Sequence, residues 1–242
     1  MKLFIFFYGL VSYFIGVIGL ACIIAALAGI IPFGFLLGET DIGLNPVVWN
    51  FILVGVWGFI HSITARPSFK RILTNFIPEP AERSTYVLIS GVTSALLIGF
   101  WTNLPGQVWH FEAGSLSFAL WGLFWFGWAF LLASTFAINH FDLFGLRQVF
   151  VNLRKQGRAP LKFTERLMYR YIRHPIQTGV LIGVWCTPSM SVPHIILSIG
   201  FTAYIVIGLW FEERDLVAEH GESYLDYRKR TGAVLPKFGG RV

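Results

Sequence analysis

Five long stretches of this chain contain no Asp, Glu, Lys or Arg: Leu3–Gly38, Ile42–Ala65, Ser84–Phe111, Ala113–Phe141 and His174–Phe211. A helix needs about 20 apolar residues to cross the hydrocarbon core of a bilayer, and each run is long enough. Inside lipid the backbone must satisfy its own hydrogen bonds, so such runs fold as helices. Only 13% of the 242 residues are charged and 55% are hydrophobic, against about 25% charged in an average soluble domain. Too few polar side chains exist to cover a soluble globule. Disorder, a coiled coil, a disulfide-stapled secreted scaffold and a large soluble domain on an anchor are all excluded. The sequence predicts an all-α, polytopic integral membrane bundle of about five to six transmembrane helices.

The spans are expected near 4–30, 46–65, 85–104, 114–138, 176–188 and 194–211. The last run is too long for one helix and too short for two full ones with a loop. Thr187-Pro188-Ser189-Met190-Ser191-Val192-Pro193 interrupts it, predicting a helical hairpin whose short fifth helix need not cross completely. The run after Lys2 continues into further spans and is read as the first transmembrane helix, not a signal peptide. One membrane domain over 1–242 is expected, with a four-helix part at 1–139 and a second part at 140–242. Cys22 and Cys186 lie in apolar runs and are read as small buried hydrophobes.

The 19 Lys and Arg residues all fall on one side of this topology. Lys2 precedes the first span, and Arg66, Lys70, Arg71 and Arg83 follow the second. Arg147, Arg154, Lys155, Arg158, Lys162, Arg166, Arg170 and Arg173 lie between the fourth and fifth. Arg214, Arg228, Lys229, Arg230, Lys237 and Arg241 follow the sixth. The 1–2 and 3–4 connections carry only Glu39, Asp41 and Glu112. Positive charge marks the cytoplasmic side, so both termini and the long connections are expected there. This placement explains the basic balance through topology and membrane lipid, and no nucleic-acid partner is expected. The segments 140–173 and 212–242 are long enough to be functional. The second reads as amphipathic through Leu216, Tyr224 and Tyr227, with Gly221 as a possible bend.

Polar groups that suggest chemistry gather at this boundary. Arg173-His174-Pro175-Ile176-Gln177-Thr178-Gly179 opens the fifth helix, where Pro175 is a favoured start and the dipole end suits an anion or polar ligand. The same residues also fit a basic topogenic anchor. Glu212-Glu213 ends the sixth span, and two carboxylates there require solvation or a partner. Adjacent helical residues point about 100° apart, so the two have different surroundings. Tyr224 and Tyr227 share a helical face and fit either stacking on a base or interfacial anchoring. Ser134-Thr135 through Asn139-His140-Phe141-Asp142, with Arg147-Gln148 beyond, places a near-neutral imidazole at His140. The chain has no Gly-x-Gly-x-x-Gly nucleotide motif, no Gly-x-Ser-x-Gly and no pattern of metal ligands.

The ordered combination of Arg173-His174-Pro175 with Gly179, Glu212-Glu213, and Gly221-x-x-Tyr224-x-x-Tyr227 resembles the isoprenylcysteine carboxyl methyltransferase and phospholipid methyltransferase superfamily. The likeness covers about 165–238, including Leu235-Pro236. A narrower resemblance covers nearly the whole chain. His61-Ser62-x-x-Ala65-Arg66-Pro67-x-Phe69-Lys70-Arg71, Glu82-Arg83-Ser84-Thr85-Tyr86-Val87, and Ser134-Thr135-Phe136 through Asn139-His140-Phe141-x-Leu143-Phe144-Gly145-Leu146-Arg147-Gln148 are similar to the bacterial methanethiol S-methyltransferases.

The resemblance implies S-adenosylmethionine as cofactor, methanethiol as a small volatile thiol substrate, dimethyl sulfide as product and the bacterial inner membrane as location. Segment 140–242 becomes the methyltransferase core, with a cytoplasmic cofactor cleft. Tyr169, Arg173, His174, Pro175, Gln177, Gly179, Glu212, Glu213 and Tyr224 are the implied cofactor-binding residues. Either glutamate fits the polar groups of the cofactor. The isoprenylcysteine enzymes carry an arginine one turn before this pair, implicated with a carboxylated substrate. Here the position is Gly208, which suits a substrate without a carboxylate. The usual tyrosine after His-Pro is Gln177.

A thiolate is a far better nucleophile than a thiol. His140, assisted by Asp142, is the expected base, while Arg147 or Arg173 offers electrostatic stabilisation instead. No metal is expected. The aromatic residues Trp121, Phe124, Trp125, Phe126 and Trp128 suggest a route for the thiol from the bilayer. Other readings are a methyltransferase acting on a phospholipid amine or larger thiol, an NADPH-dependent reductase, and a non-enzymatic carrier. The sequence leaves oligomeric state open.

Overall fold

The computed structural model describes residues 1–38, 43–157 and 165–237. The charges Glu39, Asp41, Arg158, Lys162 and Arg241 lie outside them. Among the described residues the chain is helical apart from one short pair of strands. Among the described residues, four helices are long and apolar enough to cross a membrane. They are α1 (Lys2–Leu27), α2 (Pro46–Ala65), α5 (Ser115–Ile138) and α9 (Val192–His220), with α3 (Pro67–Leu73) and α4 (Glu82–Gly99) between the second and third. After α5 come α6 (His140–Leu143), α7 (Leu146–Arg154) and α8 (Pro175–Trp185), and α10 (Glu222–Arg230) follows α9. With α4 and α8 the six expected apolar helices are all present. The protein is an integral membrane helical bundle.

The boundaries differ from the expected ones for local reasons. α4 begins at Glu82 rather than 85, because a 3-10 turn at Glu79–Ala81 leads straight into it and an acidic first turn suits the helix dipole. α8 has 11 residues, about 16 Å of helix against a core of about 30 Å. α9 does not stop at Phe211 but runs through both glutamates to His220. Gly221 then takes φ +57, a left-handed geometry that glycine adopts without steric cost. The amphipathic tail is therefore the end of α9 plus α10.

Contacts divide the chain into two compact units that interleave in sequence: Met1–Gly106, Asn139–Leu161 and Val192–Leu197 in the first, Gln107–Ile138, Lys162–Ser191 and Ser198–Val242 in the second. In the first unit, α1 and α4 pack backbone to backbone. A Cβ at Gly19 would strike the Gly91 backbone, and one at Gly91 would strike Ile15 and Gly16. Small residues permit this close approach, which gains dispersion contacts where lipid offers no hydrophobic drive. Val149 of α7 packs with Ile5 and Ala81, against the space that Gly9 leaves open. Asn50 closes the far end of α2, exchanging two 2.9 Å hydrogen bonds with the backbone of Thr102.

In the second unit, α5 and α8 meet through Gly127, Gly179 and Gly183. Side chains at these positions would overlap the opposing helix or the Trp128 ring. Strands β1 (Gln107–His110) and β2 (Ser189–Ser191) pair antiparallel, an element the sequence reading did not anticipate. They join the 3–4 connection to the turn after α8, and Trp109 Nε1 donates to the Thr187 carbonyl at 2.9 Å. Ser198 Oγ donates to the Val184 carbonyl at 2.8 Å and holds α9 against α8. Cys22 and Cys186 are free thiols, partly rather than fully buried.

Candidate active site

The entry to α8 is held by the C-terminal tail. The amide of Arg173 donates to the Gly232 carbonyl at 2.9 Å, and that of His174 to the Ala233 carbonyl at 3.0 Å. Thr178 Oγ1 donates to the Val234 carbonyl at 2.7 Å. A short parallel bridge between Ile172 and Gly232 completes the junction. Thus α8 begins at a fixed place, with Pro175 fully buried behind His174. The amides of Ile176 and Gln177 lie in its first turn, where no intrahelical carbonyl can accept from them.

The charged side chains divide sharply. Arg173 Nε donates to Glu213 Oε1 at 2.6 Å, and its Nη1 donates to the carbonyls of Thr231 and Arg228. Glu213 also meets His174 Nε2 at 3.1 Å and Arg228 Nε at 3.2 Å. Both of its oxygens are therefore engaged, and the side chains of Arg173 and Glu213 are only 8% and 13% exposed. Glu212 stands 49% exposed, with Oε2 3.7 Å from His174 Nδ1. The two neighbours on α9 occupy different surroundings, as their angular separation predicts. Glu213 is a structural anchor, whereas Glu212 offers an accessible carboxylate.

The tyrosines pack inward. Tyr224 and Tyr227 are buried, with ring centroids 5.9 Å apart. Tyr227 donates its hydroxyl to the Tyr169 carbonyl. Burial, then the Glu213 charge, push the Tyr224 pKa up to about 12. Burial also raises Tyr169 and Tyr227. All three remain neutral phenols at physiological pH. The structure places Gly179 against the Gly127 and Leu131 backbone and leaves Gln177 half-buried. Of the aromatic residues on α5, Phe124 and Trp128 are buried, while Trp125 and Phe126 are exposed.

His140, Asp142 and Arg147 belong to the first unit. Asn139 caps α6, its side chain accepting from the Asp142 amide at 3.2 Å. His140 is 4% exposed. Its Nε2 lies 3.0 Å from the Tyr13 hydroxyl, and its ring tilts over Phe144 at 4.6 Å. Burial lowers its pKa, so the imidazole is neutral near pH 7 and able to accept a proton. Asp142 is buried and pairs with Arg147 Nη1 at 3.5 Å, while its carbonyl accepts from Gln148 Nε2 at 2.9 Å. Sequence reasoning missed Tyr13, Arg228 and Thr231. Tyr13 is one hydroxyl in a long apolar run, and the backbone carbonyls of the tail carry no sequence signal at all.

The family model described as NnrU protein matches residues 50–236. A methanethiol S-methyltransferase of Mycobacterium tuberculosis is 46% identical over 192 residues, 79% of each chain. Methanethiol S-methyltransferase 2 of Bradyrhizobium diazoefficiens is 41% identical over 202 residues, 84% of this chain and 77% of its own. Nurim of Bos taurus is 23% identical over 181 residues, 72% of this chain and 69% of its own. No solved structure matches. The chain belongs to the NnrU protein family and to the family of methanethiol S-methyltransferases.

Proposed function

We infer that this protein is a methyltransferase that converts methanethiol to dimethyl sulfide, with S-adenosylmethionine as the methyl donor. The identity to methanethiol S-methyltransferases over most of the chain carries this reading. Gly208 supports the choice of a small, uncharged substrate. It sits one turn before Glu212, and a Cβ there would meet nothing within 4 Å. Packing therefore does not demand glycine at that position, and no cation stands there to hold a carboxylated substrate.

The residues at the start of α8 fit this donor. It carries an ammonium, a carboxylate and a sulfonium. The accessible carboxylate of Glu212 suits the ammonium, and the first-turn amides of Ile176 and Gln177 suit the carboxylate. Arg173, His174, Glu213, Arg228 and Tyr224 hold the tail and α9 in place around these groups. When bound, the donor supplies an electrophilic methyl group on a positively charged sulfur. A thiolate would accept that methyl group, its new S–C bond replacing the sulfonium S–C bond and leaving the demethylated donor as a neutral thioether. His140 takes the thiol proton, and Asp142 with Arg147 fixes the turn that presents it. Neutralisation of thiolate and sulfonium in one step favours a site shielded from water.

The cytoplasmic side is assigned to the termini and the Arg173 cluster by the distribution of Lys and Arg. Pairing of β1 with β2 supports this, since it brings two connections expected on the opposite side to one place. The deciding experiment is headspace detection of dimethyl sulfide from membranes given methanethiol and S-adenosylmethionine. Dimethyl sulfide is the expected product. Its absence, with the donor shown to bind, overturns the substrate assignment and leaves a phospholipid amine or a larger thiol to be tried.

A further inference from the structure

The first unit holds a second polar cluster that the methyl-transfer scheme leaves without a role. On α2, Trp57 and His61 lie one turn apart, with rings stacked at 5.2 Å. On α4, Tyr86, Ser90 and Ser94 recur every four residues and so share a face. The Tyr86 hydroxyl lies 2.8 Å from His61 Nε2. Trp57 Nε1 donates to Ser94 Oγ at 3.0 Å. Tyr86 and Ser94 both face α2, so Ser90 between them faces it as well. Its hydroxyl is buried and makes no hydrogen bond. The Arg83 guanidinium covers the Tyr86 ring at 4.6 Å, and its Nε is tied to the Leu143 carbonyl at 2.7 Å.

Polar side chains inside membrane spans are costly and mark functional positions. The other helix pair of this unit shows the inexpensive alternative, because α1 and α4 join through glycines in direct backbone contact. Between α2 and α4 the contact is made by side chains instead, Trp57 to Ser94 and His61 to Tyr86, and Ser90 Oγ between them is buried without a hydrogen bond. A buried hydroxyl in that condition is unfavourable unless something small bonds to it. The surroundings also define what fits. Aromatic faces accept polarisable sulfur, one hydroxyl matches one weak S–H donor, and the apolar helix surfaces suit a methyl group.

We propose that the α2–α4 interface, lined by Trp57, His61, Tyr86, Ser90 and Ser94, is a recognition site for a small neutral alkyl thiol. This rests on the reading that the protein methylates methanethiol. The thiol sulfur lies against the rings and accepts from the Ser90 hydroxyl, with the alkyl group against the apolar helix surfaces. The site therefore sets the size of thiol accepted.

The test uses the full-length protein in nanodiscs, assayed for dimethyl sulfide from methanethiol and ethyl methyl sulfide from ethanethiol, with melting temperature measured in parallel. Ser90→Ala removes one neutral hydrogen bond and should raise the methanethiol KM about threefold to tenfold, with the S-adenosylmethionine KM unchanged. Ser90→Val adds bulk at the same position and should penalise ethanethiol more than methanethiol. Should Ser90→Val fail to fold, the Ser90→Ala result decides. Unchanged thiol KM and unchanged thiol preference, with only the melting temperature moved, overturn the site and leave the cluster as helix-to-helix glue. If the wild-type protein forms neither sulfide, the methanethiol reading fails and the proposal falls with it.

Discussion

The Arg173 cluster of the second unit and the His140 cluster of the first are built from different kinds of contact. Around Arg173, a buried ion pair is extended by His174, Arg228 and the tail carbonyls of Arg228 and Thr231. Around His140 the close neighbours are a tyrosine hydroxyl and aromatic rings. Ion pairs drawn out of water persist only when geometry and hydrogen bonds are complete, so the first kind of cluster fixes chain segments in space. A buried imidazole among aromatic rings loses its hydration, which disfavours the charged form, so the second kind keeps a base unprotonated. One arrangement builds a holder; the other prepares a proton acceptor.

Substitutions can break this contrast. The largest effect is expected from His140→Ala, which should lower turnover by about a hundredfold or more, as for loss of a general base. Titration with S-adenosylmethionine should be unaltered. Wild-type turnover by this variant across the pH range would remove His140 from the mechanism. Next comes Arg173→Ala, which leaves Glu213 buried without its main partner. Thermal unfolding in detergent should show a loss of about 3–5 kcal/mol. Arg173→Lys should recover only part of it, because an ammonium cannot reproduce the guanidinium fork. An unchanged melting temperature in Arg173→Ala would refute the anchoring role.

The adjacent glutamates sharpen the comparison. Glu212→Gln should weaken S-adenosylmethionine binding about tenfold, the scale of a charge-assisted hydrogen bond, while the melting temperature stays put. Glu213→Gln should lower the melting temperature instead. Reversal of these two outcomes would exchange their roles. A smaller effect concerns acid stability. Burial depresses the His140 pKa in the folded state, so the unfolded chain binds that proton more readily. The contribution of His140 is thus complete above about pH 6.5 and is lost as pH falls through the lower folded value. His140→Gln should flatten the fall in melting temperature between pH 7 and pH 5 relative to wild type. An identical slope would show that His140 is not buried as a neutral base. Lys229→Ala, which breaks only the exposed pair with Asp226, should leave melting temperature and activity unchanged.

Much of the fold was legible because membrane helices obey one strong rule, the need for long apolar runs. α2 matches its expected limits, and Gly221 marks the bend foreseen for it. The extension of α9 to His220 was less visible, because hydropathy reports where lipid ends and not where helical hydrogen bonding ends. The role of Gly179 was hidden too. A glycine inside a ligand motif and a glycine needed for helix contact look alike in sequence. Only the opposing Gly127 backbone tells them apart.

By itself, the sequence determined the membrane class, the helix order and the motifs that mark a methyltransferase. Each follows from residue type and spacing along one chain. The tertiary structure decided which of Glu212 and Glu213 is accessible, which tail carbonyls hold Arg173, and which hydroxyl meets His140. These depend on segments far apart in sequence, such as Tyr13 with His140 or Arg173 with Thr231. Local pattern carries no information about such pairs, since they exist only once helix packing has brought the segments within hydrogen-bond distance.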